Sequence, residues 1–249
     1  MLKAEIQKIL LYNNNVSREI LCNINFNISE KKIYTILGKN GSGKSTLIKS
    51  LTRLLNDTVY KVDGNVFWNE ENIYKMGRDR LLEIRRKSIK YVLQDLTNNF
   101  DPLKKLKYYF DNSGINKQVI FNQLNNFLLP DYKTISELHT YEISGGMAQR
   151  ISLMLAILSN PKLLILDEPT SAIDYAIINL IKLKLLDFKQ NGGSALIVTQ
   201  DINFAKEISD EVAFLHENKL SEFINSQEFF DNSEQRPYDN FLKSFKEIQ

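Results

Sequence analysis

The segment from Gly38 to Ser45 has the residue types and spacing of a phosphate-binding loop, Gly-x-x-x-x-Gly-Lys-Ser. Its glycines permit the tight turns that aim successive main-chain N–H groups at an anion. A predicted strand precedes the loop and a predicted helix follows it, which is the setting that the pattern requires. We expect Lys44 to reach the β- and γ-phosphates of a nucleotide and Ser45 to bind Mg²⁺. The residues predicted to contact the nucleotide here are Gly38, Asn40, Gly41, Ser42, Gly43, Lys44, Ser45 and Thr46.

A pair of acids follows another apolar strand, predicted over 162–166. Asp167 would lie at the carboxyl end of this strand and hold Mg²⁺, and Glu168 could polarise the water that attacks the γ-phosphate. The alternative is an acidic turn after a buried strand. The phosphate-binding loop and the turn at 169–171 favour the metal and water roles.

A third motif, Ser144-Gly145-Gly146, lies at the start of a predicted helix. Ser144 is a good N-cap, and the glycines expose main-chain N–H groups to a close approach. Taken alone, the motif is better explained as an ordinary helix cap after a loop. The phosphate-binding loop alone also leaves kinases, GTPases, helicases and transporter ATPases open.

Strands that alternate with helices indicate a mostly parallel sheet. The predicted strands cover 4–11, 21–28, 32–37, 64–68, 89–93, 162–166, 195–199 and 211–215, with a polar turn at 12–18. The predicted helices cover 43–55, 78–87, 146–158, 175–189 and 204–209. We predict one domain: an α/β P-loop NTPase (RecA-like) core over 1–94 and 159–249, which includes an N-terminal antiparallel β subdomain, and an inserted α-helical subdomain over 95–158.

The composition limits the classes of partner. The 249 residues can bury a substantial core, and 32 Lys and Arg against 30 Asp and Glu give a net charge of +2. This balance predicts no nucleic-acid partner. Cys22 is the single cysteine, so thiolate metal clusters and an internal disulfide are excluded. We expect neither a signal peptide nor a membrane-spanning segment, since the most apolar stretch covers only 151–158.

The order of the three motifs resembles that of the ABC transporter ATPases, whose signature reads LSGGQ. Here the signature reads ISGGM, with Ile143 and Met147 at the two variable positions. The resemblance covers nearly the whole chain. It implies ATP and Mg²⁺ as ligands and a head-to-tail dimer of ATPase subunits. In that dimer the Ser144–Gly146 motif would bind the γ-phosphate of the ATP held by the opposite subunit.

The resemblance implies roles for other residues. Gln94 matches the glutamine that contacts Mg²⁺ and the attacking water, and Asp174 belongs to the loop that crosses the dimer. Tyr12 lies where the family has an aromatic ring that stacks on adenine, although it is equally a plausible hairpin tyrosine. The cluster Tyr108-Tyr109-Phe110 is either a docking surface for a membrane subunit or part of the core of the helical subdomain.

Two further strings are similar to those of peptide and nickel importer ATPases: the segment 95–106 after Gln94, and RPYDNFL at 236–242. This group implies transmembrane permease subunits, a second ATPase subunit that is often different, and an indirect link to a substrate-binding protein. It also implies a peripheral location on the cytoplasmic face of the membrane. An exporter ATPase and a soluble ABC protein of DNA repair or translation are the alternatives. The string at 236–242 argues against an exporter. The single cassette and the absence of a heptad run in the sequence argue against a soluble protein of DNA repair or translation.

The chain departs from the family pattern at one catalytic position. The family has a histidine within Ser/Thr-His-Asp, and this chain has Thr199-Gln200-Asp201. Gln200 can donate an amide N–H to phosphate, but it cannot carry a proton as imidazolium. Either the site is weakened or regulatory and the partner carries most turnover, or Gln200 keeps the geometry and hydrolysis persists, because positioning dominates phosphoryl transfer.

Overall fold

The computed structural model describes residues 1–13, 16–93, 100–171 and 173–231. Its strands are β1 (Leu2–Asn13), β2 (Val16–Ile28), β3 (Ile33–Leu37), β4 (Tyr60–Trp68), β5 (Glu71–Asn72), β6 (Ile89–Val92), β7 (Leu163–Asp167), β8 (Ser194–Thr199), β9 (Glu211–His216), β10 (Lys219–Leu220) and β11 (Ile224–Asn225). Its α-helices are α1 (Lys44–Ser50), α2 (Arg78–Lys87), α3 (Leu106–Asn112), α4 (Lys117–Leu124), α5 (Tyr132–Glu137), α6 (Gly145–Leu158), α7 (Tyr175–Gln190), α8 (Ile202–Ile208) and α9 (Ser226–Asp231). Gln94 and the tail string at 236–242 lie outside the described residues.

An antiparallel sheet in the order β2-β1-β4-β5 forms the N-terminal part, as the sequence predicts. The buried residues of β1 are Leu2, Ala4 and Ile6, at even positions, and then Ile9, at an odd position. The change follows from the shift of the register against β4 between Ile6 and Lys8. Gly64 faces this shift with a φ of 135°, and a Cβ built there would lie 2.4 Å from the carbonyl oxygen of Glu5. Only glycine therefore fits at this bulge.

The polar turn predicted over 12–18 is wrong in extent. Tyr12 pairs with Ser17, and Leu11 pairs with Arg18, so both strands continue into the polar segment. Main-chain pairing with a neighbouring strand does not require apolar side chains at an exposed edge. The strands predicted from hydrophobic alternation are therefore shorter than the observed ones.

A central sheet carries the parallel strands in the order β9-β3-β8-β7-β6, and β10 and β11 pair antiparallel with β9. All residues of β3, β7 and β8 are buried. Both faces of such a sheet are covered, so its strands are buried throughout and mostly apolar rather than alternating. The carboxyl ends of β3, β8 and β7 lie side by side, and each is followed by one of the sequence-predicted motifs.

Helix α1 ends at Ser50, five residues before the predicted end at 55. Arg53 has a φ of 54°, a left-handed conformation that stops the helix. The guanidinium of Arg85 donates to the carbonyl oxygens of Thr52 and Arg53 at 2.6 and 2.5 Å, which satisfies groups that the helix no longer uses. The stop therefore depends on a tertiary contact from α2.

Helices α3 to α5 occupy the segment that the sequence predicts to be helical. Phe110, Ile120 and Ile135 are buried among them, and the same apolar cluster continues through α6 and α7 to one face of the central sheet. Phe110 is 2% exposed, so it belongs to the core of this segment, whereas Tyr108 is 48% exposed. Among the described residues, no helix has the length and apolar character needed to cross a membrane.

We predict that the centre of the sheet dominates stability. Leu164 on β7 is fully buried in the cluster that joins the sheet to α6 and α7. Leu164→Ala should lower the free energy of unfolding by about 2–5 kcal/mol, because it removes apolar contacts and leaves a cavity. Leu183→Ala, at a position on α7 that is 61% exposed, should change it by less than about 0.5 kcal/mol. Urea unfolding followed by circular dichroism measures both, and equal losses would contradict the assignment.

Candidate nucleotide-binding site

The loop between β3 and α1 forms the floor of a cavity of about 420 Å³. Gly43 has a φ of 101°, and a Cβ built there would lie 3.0 Å from Cδ2 of Leu21. A Cβ on Gly38 would lie 2.8 Å from the carbonyl oxygen of Leu215. Close packing and a left-handed turn thus explain why glycine stands at both positions. The residues that line the cavity are Ile20, Asn40, Gly41, Gly43, Lys44, Ser45, Thr46 and Glu168.

Lys44 is the central cation of this site, and only 5% of it is exposed. Its Nζ donates to the carbonyl oxygens of Gly38 and Lys39 at 2.8 and 3.1 Å. The same Nζ lies 3.0 Å from Oε1 of Glu168, a buried ion pair whose alignment is not that of a hydrogen bond. Among the described residues, Oε1 therefore has a charge partner but no hydrogen-bond donor. Two carbonyl groups of the loop hold the ammonium, and Glu168 supplies its anionic partner.

Glu168 is held from the side opposite Lys44. Its Oε2 accepts from Oγ1 of Thr199 at 3.0 Å and from the main-chain N–H of Gln200 at 3.2 Å. Its own N–H donates to the carbonyl oxygen of Val198 at 2.9 Å. Glu168 has a φ of 48°, which is a left-handed conformation that costs free energy for a residue other than glycine. Contacts with β8 hold this turn in place.

Ser45 and Asp167 provide paired oxygen atoms beside the ion pair. The Ser45 hydroxyl donates to Oδ1 of Asp167 at 3.0 Å. Burial raises the pKa of Asp167, and the Ser45 hydroxyl and the charge of Lys49 offset part of this rise. A hydroxyl and a carboxylate are the hard oxygen ligands that Mg²⁺ prefers, so the two residues fit that ion. The described residues contain no cluster of three or more His, Cys, Asp or Glu side chains that could hold a metal ion by themselves.

The Ser144–Gly146 motif begins α6, with Ser144 as the N-cap and its Oγ accepting from the N–H of Met147 at 3.2 Å. Ser144 and Gly145 are exposed. No residue of the motif is among those that line the cavity at Lys44. One chain therefore does not bring its own signature onto its own phosphate-binding loop.

The structure gives the other predicted residues diverse positions. Tyr12 is 42% exposed, lies on β1 and borders a separate cavity with Tyr60 and Tyr74. Asp174 caps α7 by accepting from the N–H of Ile177 at 3.0 Å. The side chain of Gln200 is exposed. Gln94, predicted as a Mg²⁺ and water contact, lies outside the described residues.

Two contacts of this region were not predicted from the sequence. One is the hydroxyl of Thr199 on Glu168. The other is the side-chain amide of Gln149, on α6, which donates to the carbonyl oxygen of Pro169 directly after Glu168. Thr199 belongs to the string Thr199-Gln200-Asp201, and Gln149 lies two residues after the ISGGM signature. Sequence spacing does not reveal which side chains meet across neighbouring elements.

The raised pKa of Asp167 predicts a pH dependence of stability without nucleotide and Mg²⁺. Because burial disfavours the ionised carboxyl, its contribution to folding is fully present below the ordinary pKa and is lost as the pH rises through the raised value. Asp167→Asn should therefore increase the free energy of unfolding at pH 7, with a gain that shrinks as the pH falls towards 4. Urea titrations across this range test it, with the exposed Asp187→Asn as control. A gain that is independent of pH would contradict the assignment.

Comparison with known proteins places the chain in a family. The ABC transporter family profile matches residues 21–171. The phosphate import ATP-binding protein PstB of Mycoplasmoides gallisepticum is 32% identical over 235 residues, which are 91% of this chain and 71% of that protein. The oligopeptide transport ATP-binding protein OppD of Lactococcus lactis subsp. cremoris is 27% identical over 237 residues, 90% of this chain and 69% of that protein.

Other relatives differ in length or identity. The glycine betaine transport ATP-binding protein OpuAA of Bacillus subtilis is 30% identical over 226 residues, and the chain spans only 52% of its length. A dimeric ATP-binding cassette in a post-hydrolysis state, bound to ADP and Pi, has a TM-score of 0.76 at 24% identity and 91% coverage of this chain and 99% of that chain, which shows the fold. The structure of cbiO1 from Clostridium perfringens has a TM-score of 0.73 at 25% identity, with 99% and 97% of the two chains covered. The family profile and the identity to PstB establish that the chain belongs to the ABC transporter family, as an ATP-binding domain.

Proposed function

We propose that the site around Lys44 and Glu168 binds Mg·ATP and hydrolyses it to power a membrane permease. The observation that carries this proposal is the buried ion pair between them, 3.0 Å long, on a loop built for phosphate. A triphosphate brings more negative charge than a carboxylate, so it would replace Glu168 as the partner of Lys44. The exchange would bind the nucleotide and release the acid in one event.

Hydrolysis follows from the release of Glu168. A water oxygen forms a bond to the γ-phosphorus, the bond to the β–γ bridging oxygen breaks, and its electron pair leaves with ADP. Glu168 accepts the proton of the attacking water. Ser45 and Asp167 would hold Mg²⁺, which would neutralise charge on the phosphates when bound. Lys44 stays on the phosphates throughout and stabilises the charge that develops there.

The exposed Ser144–Gly146 motif supports a dimer as the working unit. Because it does not line the chain's own cavity, the γ-phosphate of a second subunit is the ligand that it would contact. A motif from each subunit would then close two ATP sites. ATP would shift the pair towards the closed form, and hydrolysis would open it again. Asp174 and Tyr12 would contribute the contacts across the dimer and on adenine that the family resemblance implies.

The partners follow from the family and from two sequence strings. We infer permease subunits, a second ATPase subunit that differs from this chain, an indirect link to a substrate-binding protein, and a peripheral site on the cytoplasmic face of the membrane. The helical subdomain over 95–158, with Gln94 at its hinge, would transmit closure to the permease. The strings at 95–106 and 236–242 favour peptides, nickel or metal chelates as cargo. The relatives, which are named for peptide, phosphate and betaine transport, leave the cargo open.

A weakened, regulatory ATP-binding subunit is the second candidate, and Gln200 in place of the family histidine favours it. The observation that opposes it is the contact of Gln200 with Glu168. This contact uses the main-chain N–H, which a residue of nearly any type supplies at this position. The hold on the acid therefore does not need the missing imidazole.

The exchange of partners at Lys44 predicts opposite effects for two substitutions. Lys44→Ala should abolish retention of Mg·ATP, since it removes the buried cation that the phosphates need. Glu168→Gln should retain ATP and lower turnover by about 10²- to 10⁴-fold, because only the proton acceptor is lost. Equilibrium dialysis with ATP and phosphate release measure the two effects, with the exposed Lys206→Ala as control. Undiminished ATP retention by Lys44→Ala would refute the proposed function.

Gln200→His separates the two candidates. If the main-chain N–H suffices, turnover of the assembled complex should change by less than about threefold, because Glu168 keeps both of its donors. A rise of at least about tenfold would instead support the weakened subunit, since it would show that a proton-carrying side chain is missing. The rate should be measured with the catalytic acid of the partner subunit disabled, so that only this chain contributes.

A further inference from the structure

We propose that Thr199 is a positioning residue for hydrolysis and that it assigns different tasks to the two oxygens of Glu168. The inference rests on the proposed function. Its basis is a hydrogen bond of 3.0 Å between two buried side chains, from Oγ1 of Thr199 to Oε2 of Glu168. Thr199 is 0% exposed and Glu168 is 6% exposed, so water does not compete for this bond.

The backbone of Thr199 is fixed from two sides. It pairs with Leu37 of β3, and its carbonyl oxygen accepts from the N–H of Gly38, the first residue of the phosphate-binding loop, at 3.3 Å. On the other side, Val198 pairs with Asp167 of β7. Thr199 therefore lies in the middle of the sheet. Its carbonyl group contacts the loop that would bind phosphate, and its hydroxyl contacts the acid that would act on the phosphate.

The direction of the bond follows from the remaining contacts of the hydroxyl. Oγ1 of Thr199 accepts from the main-chain N–H of Asp201 at 3.0 Å, which uses one of its lone pairs. An ionised carboxylate has no proton to give. The single hydroxyl proton must therefore point at Oε2 of Glu168. This geometry also makes β-branched threonine, with its restricted χ1, well suited to holding the proton there.

The two carboxylate oxygens consequently differ. Oε2 has two donors, Thr199 and the N–H of Gln200, whereas Oε1 has, within the described part of the chain, the ammonium of Lys44 as its one partner. Once Lys44 turns to phosphate, Oε1 is the oxygen without a donor. Its lone pairs are not engaged by Thr199 or Gln200, so it would take the proton of the attacking water. Of these two donors to Oε2, the Thr199 hydroxyl is the one that depends on the type of side chain, because Gln200 donates its main-chain N–H.

Removal of the hydroxyl tests the assignment. Thr199→Val should lower kcat for ATP by roughly 10- to 100-fold with KM nearly unchanged, since a hydrogen bond to a charged group that is needed for alignment is lost. Thr199→Ser keeps the donor and should restore most of kcat. Thr35→Val is the matched control: Thr35 is also buried, on the adjacent strand β3, and its hydroxyl contacts Ser209 instead of Glu168. It should leave kcat unchanged, even if it lowers stability.

A double-mutant cycle with Glu168→Gln separates positioning from a general structural effect. If Thr199 acts through Glu168, Thr199→Val should cause no further loss of turnover in the Glu168→Gln background. If the valine variant does not fold, Thr199→Ala, which also lacks the hydroxyl, replaces it in both backgrounds. Equal losses in the two backgrounds, or failure of Thr199→Ser to restore kcat, would overturn the inference.

The failure of this inference differs from failure of the proposed function. A wild-type chain that retains Mg·ATP and hydrolyses it, together with a Thr199→Val variant of unchanged kcat, would overturn only the role of Thr199. A wild-type chain that retains ATP but shows no hydrolysis of its own would also overturn it, in favour of the regulatory subunit. Loss of the proposed function itself would appear earlier, as wild-type protein that does not retain ATP.

Discussion

The ion pair between Lys44 and Glu168 is the interaction on which the site depends. Both groups are almost fully buried, and removing two charges from water costs on the order of several kcal/mol per ion. Each charge is therefore tolerable only while the other, or an equivalent ligand, is present. A phosphate that takes Lys44 satisfies one charge and leaves the other facing the place where water would react. Binding and activation of the acid are thus two results of one electrostatic constraint.

The parallel sheet makes this pairing possible. The loop with Lys44 follows β3, Glu168 follows β7, and Thr199 ends β8, which lies between them. Ligands of open α/β sheets bind at the carboxyl ends of the strands, where such residues converge. These strands are buried along their whole length, which fixes their register and holds the polar groups at their carboxyl ends within hydrogen-bonding distance of one another. Rigidity in the core and reactivity at its edge come from the same strands.

The fold class and all but one of the residues that line the cavity at Lys44 could be predicted from the sequence, because a phosphate-binding loop requires fixed residue types at fixed spacing. Features set by tertiary contacts could not. Helix α1 stops early where Arg85 reaches across from α2, and β1 and β2 continue through a polar segment because they pair with each other. Thr199 directly precedes Gln200, which stands where the family has a histidine. Sequence spacing alone does not reveal that the Thr199 hydroxyl contacts Glu168. The short strands β10 and β11, which pair with β9, and helix α9 contain too few residues for a periodic hydrophobic pattern in the sequence.

The proposed mechanism requires Lys44 to change its partner from Glu168 to phosphate. The most direct measurement is a structure of the chain with Mg²⁺ and a non-hydrolysable ATP analogue, compared at the Lys44 Nζ–Glu168 Oε1 distance, which is 3.0 Å here. The account predicts that Nζ lies on phosphate oxygens, that this distance has opened beyond contact, and that Oε2 keeps its bond to Thr199. An analogue bound elsewhere, with the ion pair intact, would contradict it.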